Sequence, residues 1–293
     1  MDNPKVTAII TTHNRRDLVG RAVESVLAQT YKNLDCIVVD DASDISAEDI
    51  CTKYPVKFIY IPKDDSSGGN HARNIGIMAT DADYVAFLDD DDYWLPEKIE
   101  KQITLIAEKR CKFVYSGARA EIIKDGIVTE GKYYPNYLNQ GNMSKKILYG
   151  ICCLNITMLI ERQLLVDVGL FDENIRFWQE YELMIRLAQK TTFYFVPEVM
   201  AVFRVDIKDT GRLTNKYDDW KKAVDYIYKK HRNLFSALSF MEKERVRINY
   251  HNDACNRAKN SGLFFRVLYH NFLMKTRCLP SRIIIKIIDS IKR

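Results

Sequence analysis

The 293-residue chain lacks any run of the ~18 uncharged apolar residues that a membrane-spanning helix requires, so a helical span is excluded. Its first residues, Met1-Asp2-Asn3-Pro4-Lys5, carry no charged-then-apolar leader pattern and pass directly into a strand; a cytosolic start is expected. Cysteine is scarce and unpatterned. The seven residues, at 36, 51, 111, 152, 153, 255 and 278, are odd in number and have no CxxC spacing. That argues against a thiolate zinc site and for buried, reduced thiols in a reducing compartment. Internal repeats and low-complexity tracts are absent as well. What remains is an ordinary folded composition, 47% hydrophobic and 28% charged. The length suits one large domain, or one domain with a smaller appendage.

Charge is unevenly spread. Residues 1–205 carry 24 Lys and Arg against 30 Asp and Glu, a net of −6, whereas residues 206–293 carry 20 against 9, a net of +11. An acidic body with a basic tail suggests either an anionic partner for the tail, such as lipid headgroups, or a solvated basic helical surface.

The first ~90 residues alternate strand and helix. Strands are expected at Val6–Thr11, Asp35–Asp40, Lys57–Ile61 and Tyr84–Leu88. Between the first two, Asn14 can cap a helix lined by Leu18, Ala22, Val23, Val26 and Leu27, and a further helix runs from about His71 to Ala79. Continuous apolar strands separated by helices imply a parallel sheet covered on both faces. Beyond them, Pro96 suits the first position of a helix carrying Ile99, Ile103 and Ile106. Phe113–Tyr115 reads as a strand, Asp125-Gly126 as a hairpin turn, 131–150 as a long loop, and Thr192–Val196 as a strand stopping at Pro197. From about Asp206 the pattern is helical.

The densest chemistry is Asp89-Asp90-Asp91-Asp92, directly after the greasy strand Tyr84–Leu88. Four adjacent carboxylates repel one another and favour a compensating cation, which reads as a divalent-metal site holding an anion such as a diphosphate. Ligands of open parallel sheets bind at the carboxyl ends of strands. Thr11-Thr12-His13-Asn14-Arg15 and Asp40-Asp41-Ala42-Ser43 end two other strands, so the three endings together suggest one pocket. Taken singly, Asn14 is explained as a helix cap, Asp40-Asp41 as turn formers, and Asp92 as a cap of the following helix. Ser66 to Asn74 is a glycine-bearing loop opening a helix, where Arg73 could grip phosphate or pair with one of the aspartates.

With these segments on the page, the chain resembles the family 2 glycosyltransferases. The resemblance is carried by Thr7 to Arg15, Ala22 to Tyr31, Val38 to Ser43, Gly69 to Gly76, Phe87 to Pro96, Val168 to Glu173 and Glu180 to Leu183. It covers roughly residues 4–205. It implies a GT-A fold, an α/β domain with a mainly parallel central sheet flanked by helices, here over 1–205, followed by a basic helical C-terminal region over 206–293. It implies inverting transfer of a sugar from a nucleotide-sugar, usually a UDP-sugar, to a hydroxyl, with Mn²⁺ or Mg²⁺. Thr11, His13 and Asp41 would hold the base, and Arg15, Arg73 and Asp90 would complete the donor site. Asp91 is the main metal ligand with Asp89, and Asp90 or Asp89 turns towards the ribose or a metal-bound water; the register within four identical residues is open by one.

An inverting displacement needs a base opposite the leaving diphosphate. The resemblance places Glu180 there, in Gln179-Glu180-Tyr181-Glu182, with Glu182 in reserve; both are otherwise surface positions of the helix carrying Leu183, Ile185 and Leu187. The acceptor would be a glycan or lipid-linked hydroxyl, with no nucleic-acid partner. The protein would be cytoplasmic, either free or peripheral at the inner face of the cell membrane. Ile283, Ile284, Ile287, Ile288 and Ile291, between Arg282 and Lys292-Arg293, form a stripe fit for a membrane surface, for docking on the chain's own domain, or for a second copy. Three other readings share some of these features. A sugar nucleotidyltransferase would carry an N-terminal glycine-rich loop that is missing here, and a phospho-acceptor receiver domain would be far shorter. A non-catalytic nucleotide-sugar-binding protein would differ only in lacking turnover.

Overall fold

The computed structural model describes residues 3–125, 127–206, 216–278, 281 and 283–285. The chain falls into two compact units: Met1–Met143 with Cys152–Lys208, and Ser144–Ile151 with Asp209–Arg293.

The first unit is built on β1 (Val6–Thr12), α1 (Arg16–Leu27), β2 (Leu34–Asp41), α2 (Glu48–Cys51), β3 (Lys57–Ile61), α3 (Gly69–Met78) and β4 (Tyr84–Asp89). It continues with β5 (Tyr93–Trp94), α4 (Lys98–Lys109), β6 (Phe113–Lys124), β7 (Ile127–Tyr133), β8 (Leu159–Glu161), α5 (Arg162–Asp167), α6 (Gln179–Leu187) and β9 (Phe193–Asp206). The sheet order is β3-β2-β1-β4-β8-β6-β9-β5, with β7 paired to β6. The β3-β2-β1-β4 block is parallel throughout. Its inner strands β1 and β4 are buried on both faces, as their unbroken apolar runs require, while the edge strand β3 is largely half-buried or exposed. Strand order reverses between β1 and β4, so a crevice opens at their carboxyl ends, where Thr11 lies opposite Asp89. The second half of the sheet mixes parallel and antiparallel pairs. Gly76 lets α3 lie tight on β1, since a Cβ there would stand 2.6 Å from Ile9 Cγ2.

Two expected boundaries move. The strand expected to stop at Pro197 continues to Asp206. Proline cannot donate to the ladder, so the pairing skips: Val196 lies opposite Ser116 and Val199 opposite Gly117, bulging Pro197 and Glu198 out. The bulge depends on Gly117, whose Cβ would fall 2.9 Å from the Glu198 carbonyl oxygen. The loop expected over 131–150 is shorter at both ends. β7 runs on to Tyr133, and Lys146–Tyr149 forms a short 3-10 turn. β6 and β7 pair in the register Lys124 to Ile127, with Asp125 at φ 50°; Gly126, the other residue of the expected turn, lies outside the described residues.

The second unit comprises that turn with α7 (Tyr217–Lys230), α8 (Arg232–Ser236), α9 (Phe240–Asn260) and α10 (Phe264–Thr276). Ser239 and Glu242 form a reciprocal capping box at the start of α9. Tyr149 donates to Glu242 and Asn249 donates to the Tyr149 carbonyl, fixing the turn to α9. No helix among the described residues is long and apolar enough to cross a membrane. Of the isoleucine stripe, Ile283 and Ile284 are exposed, while Arg282, Ile287, Ile288, Ile291, Lys292 and Arg293 lie outside the described residues.

Candidate active site

The polar endings of β1, β2 and β4 converge. Asn14 is not a helix cap. It sits at φ 54°, one residue before the cap position held by Arg15. Its N–H donates to Ser43 Oγ and its Oδ1 accepts from the Asp44 N–H, each at 2.7 Å, so it pins the end of β1 to the turn after β2. His13 Nδ1 donates to the Asp41 carbonyl at 2.5 Å, and Asn14 Nδ2 donates to His13 Nε2 at 3.1 Å, which defines the neutral tautomer. Asp40 is spent on structure: its buried carboxylate accepts from the N–H groups of Ser43 and Ala47. Asp41 differs. It is buried, and its Oδ1 has no hydrogen-bond partner among the described residues. A buried acceptor left open costs on the order of 1–3 kcal/mol, and a ligand donor would recover that.

The acidic loop is compensated by arginine. Arg73 Nη2 lies 2.7 Å from Asp89, while Arg15 spans Asp90 at 2.7 Å and Asp91 at 2.9 Å. Arg21 donates to the Asp91 carbonyl. Burial pushes the Asp90 carboxyl up to about 7, against the pull of Arg15 and of the Thr12 hydroxyl. Asp92 is likewise held well above the usual carboxylate range, first by burial and then by Asp89 and Asp91. It caps no helix; it accepts from the Arg204 N–H at 2.9 Å and ties the loop to β9. Burial at Asp90 and Asp92 and the three guanidinium groups together offset part of the charge that four adjacent aspartates concentrate here.

Asp89 and Asp91 remain the partly exposed members, with side chains 34% and 28% accessible. Their hard oxygen donors suit Mg²⁺ or Mn²⁺. Among the described residues no three His, Cys, Asp or Glu side chains converge into a closed metal cage. That fits an ion held by one or two carboxylates and completed by a bound phosphate and water.

α3 links this loop to the segment before α6. Asn70, Arg73 and Asn74 fall at i, i+3 and i+4 and share one face. Asn70 donates to the carbonyls of Asp172 and Ile175, both at 2.8 Å, and Asn74 exchanges two hydrogen bonds with the Phe171 backbone. His71 pairs with Glu173 at 3.0 Å, and the Arg73 guanidinium lies over the Phe171 ring. Trp178, at φ 55°, then opens α6, with Glu180 half-buried in its first turn. Glu182 is fully buried and gripped by Arg186, 2.6 Å away, which also donates to the Val168 carbonyl. That carboxylate is part of the packing and is not available as a base.

Thr11, His13, Arg15, Asp41, Arg73, Asp89, Asp90 and Asp91 thus gather at the carboxyl ends of the parallel strands, and α3 joins them to the 171–175 segment that precedes α6, the helix of Glu180. Arg21, Asn70 and Asn74 escaped the sequence reading. The i, i+3, i+4 spacing of polar residues in Asn70-His71-Ala72-Arg73-Asn74 was the signal available for two of them. Three of the six non-glycine residues at positive φ among the described residues, Asn14, Ala42 and Trp178, border this region, as strained backbone at functional sites often does.

Residues 7–166 match the family model described as "Glycosyl transferase family 2". TuaG of Bacillus subtilis, a glycosyltransferase assigned to teichuronic acid biosynthesis, is 29% identical over 258 residues, covering 86% of this chain and 96% of its own. WfaP of Escherichia coli, a UDP-Glc:α-D-GlcNAc-diphosphoundecaprenol β-1,3-glucosyltransferase, is 37% identical over 141 residues, 48% of this chain and 55% of its own. Among solved structures, Staphylococcus aureus TarS 1-349 in complex with UDP-GlcNAc superposes with a TM-score of 0.58 at 14% identity, covering 94% of this chain and 89% of that one. The mannosyltransferase PcManGT of Pyrobaculum calidifontis, in complex with GDP-Man and Mn²⁺, gives 0.55 at 16%, covering 95% and 82%. The fold these share is GT-A, and on the family match over more than half its length the chain belongs to glycosyl transferase family 2.

Proposed function

We propose that the protein moves a sugar, with inversion, from a UDP-sugar to a hydroxyl of a lipid-linked saccharide in surface polysaccharide or glycolipid synthesis, at the cytoplasmic face of the membrane. Residues 1–205 act as the catalytic domain and 206–293 as an appended basic helical region. The observation that carries the donor reading is the open, buried Oδ1 of Asp41 beside His13. A uracil imide N–H would satisfy it, with the His13 ring against the base and Thr11 beneath. The relative WfaP, named for a UDP-Glc donor and a diphosphoundecaprenol acceptor, supports the same substrate classes.

Asp89 and Asp91 would hold a divalent cation, which when bound neutralises charge on the departing diphosphate. Arg15 and Arg73, now paired with Asp90, Asp91 and Asp89, would exchange part of those contacts for phosphate oxygens. Asp90 turns towards the ribose. Glu180 accepts the proton of the acceptor hydroxyl as that oxygen attacks the anomeric carbon from the face opposite the diphosphate. Titration calorimetry tests the donor site. UDP with Mn²⁺ binds the wild type, and Asp91→Ala loses the metal-dependent part of the affinity. Equal binding by both proteins would remove the metal from this loop.

A further inference from the structure

α10 is amphipathic in an unusual sense. Its inward residues, His270 and Met274, are buried. Its outward face is apolar: Phe264, Phe265, Leu268, Tyr269 and Phe272 are between 49% (Leu268) and 84% (Phe265) exposed. At 100° per residue these five occupy an arc of roughly 140°, opposite His270 and Met274. Apolar patches of this size on a folded surface mark places where something docks. The surrounding charge indicates what. Between Asp253 and Asp289 the sequence holds seven Lys and Arg and no acid. Lys275 falls within the aromatic arc, Arg277 is exposed at the C-cap of the helix, and Arg266, also exposed, stands about 60° outside the arc on the His270 side. Arg266 is partly engaged by Asp218 at 3.3 Å.

We propose that the outward face of α10 docks on an anionic phospholipid bilayer. Thirteen residues are too few to cross a bilayer, which takes ~20, but they suffice for a helix lying in the interface. The phenyl rings and Leu268 enter the acyl boundary, the Tyr269 hydroxyl stays at headgroup level, and Lys275 and Arg277 meet lipid phosphates. Ile283 and Ile284 are exposed as well. The docking rests on the proposed function only for its purpose, which is to bring the enzyme to a lipid-linked acceptor.

Co-sedimentation of the full chain with vesicles tests this. The wild type sediments with phosphatidylglycerol-containing vesicles and not with pure phosphatidylcholine. Phe265→Ser with Phe272→Ser lowers the partition coefficient about tenfold or more, and Lys275→Gln with Arg277→Gln lowers it about fivefold per charge. The far-ultraviolet circular dichroism of both variants matches the wild type. Failure of the wild type to sediment overturns the proposal, as does undiminished sedimentation of the phenylalanine variant. A wild-type dimer that the phenylalanine variant converts to monomer, without vesicle binding, assigns the face to a second copy instead. Donor hydrolysis without acceptor is read in parallel. Vesicle binding without hydrolysis leaves the docking intact and counts against the transfer reading; hydrolysis without vesicle binding does the reverse.

Discussion

The two units hold their charge in opposite ways. In the sheet unit, acids are concentrated by topology. Asp41 and Asp89 to Asp92 follow the carboxyl ends of strands and cannot disperse, so Arg15, Arg21 and Arg73 are drawn in to match them. In the helical unit most of the abundant basic charge lies on the outside, one arginine, Arg247, pairs with the buried Glu244, and a chain of neutral polar rings crosses the packing. Tyr217 and His270 lie 2.8 Å apart, and His270 and His251 2.9 Å. The first arrangement can trade an internal partner for a ligand. The second can only be broken.

The largest test of that contrast is Glu180→Gln. If α6 carries the chemistry, kcat falls by about 10²–10⁴ while UDP binding and the melting temperature hold; steady-state kinetics on donor and acceptor measure it, and unchanged kcat moves the base elsewhere. Arg186→Met, one helical turn beyond the buried Glu182, should do the opposite. It strands a carboxylate that is fully inaccessible and costs about 3–5 kcal/mol in urea denaturation. Adding Glu182→Leu to that variant recovers much of the loss, because a matched apolar pair replaces the ion pair. Gly117→Ala comes next. Its new Cβ would press on the Glu198 carbonyl at 2.9 Å, and overpacking of this kind costs about 1–3 kcal/mol. Gly131→Ala, whose Cβ would meet Ala120 at 3.7 Å and Ile122 at 3.9 Å, both ordinary contacts, serves as the control on the neighbouring strand.

Much of the sheet unit was legible in the sequence because each parallel strand is a closed apolar word ending in polar residues, as in Tyr84–Asp89. Less legible was anything decided by a distant neighbour. The Pro197 bulge depends on Gly117, eighty residues earlier in the chain, and no local pattern at Pro197 signals that the strand resumes. The acid run pointed to a charged focus, and of its arginine partners the sequence offered Arg73 as one alternative; Arg15 and Arg21 as partners of the aspartates were not legible, since they reach the loop only through the sheet order. Glu182 reads as exposed beside Glu180, and only the i+4 Arg186 on a helix buried nearly all round shows why it is not. In the helical unit the general helical character was legible from about Asp206 but not the individual helices, and α10's exposed aromatic side was hidden. Phe264, Leu268 and Phe272 look like a core stripe until the packing shows that His270 and Met274 point inward.

The smallest effect, and the one that isolates the helical unit, is its response to acid. Burial, then His251 and Arg266, lower the pKa of His270 from 6.5 to about 4, and burial followed by Arg247 lowers that of His251. The folded unit thus prefers a neutral imidazole, while the unfolded chain takes up a proton near 6.5. A histidine depressed in this way contributes stability that is full above pH 6.5 and is lost as the pH falls towards 4. His270→Gln removes that contribution at every pH and with it the slope. The melting temperature of the wild type should therefore approach that of the variant across this window, from a clear excess at neutral pH. Two melting curves that stay parallel from pH 7 to 4 would mean that His270 takes up its proton as readily in the fold as in the unfolded chain, and the contrast between a charge-trading acidic loop and a neutral histidine pair would not hold.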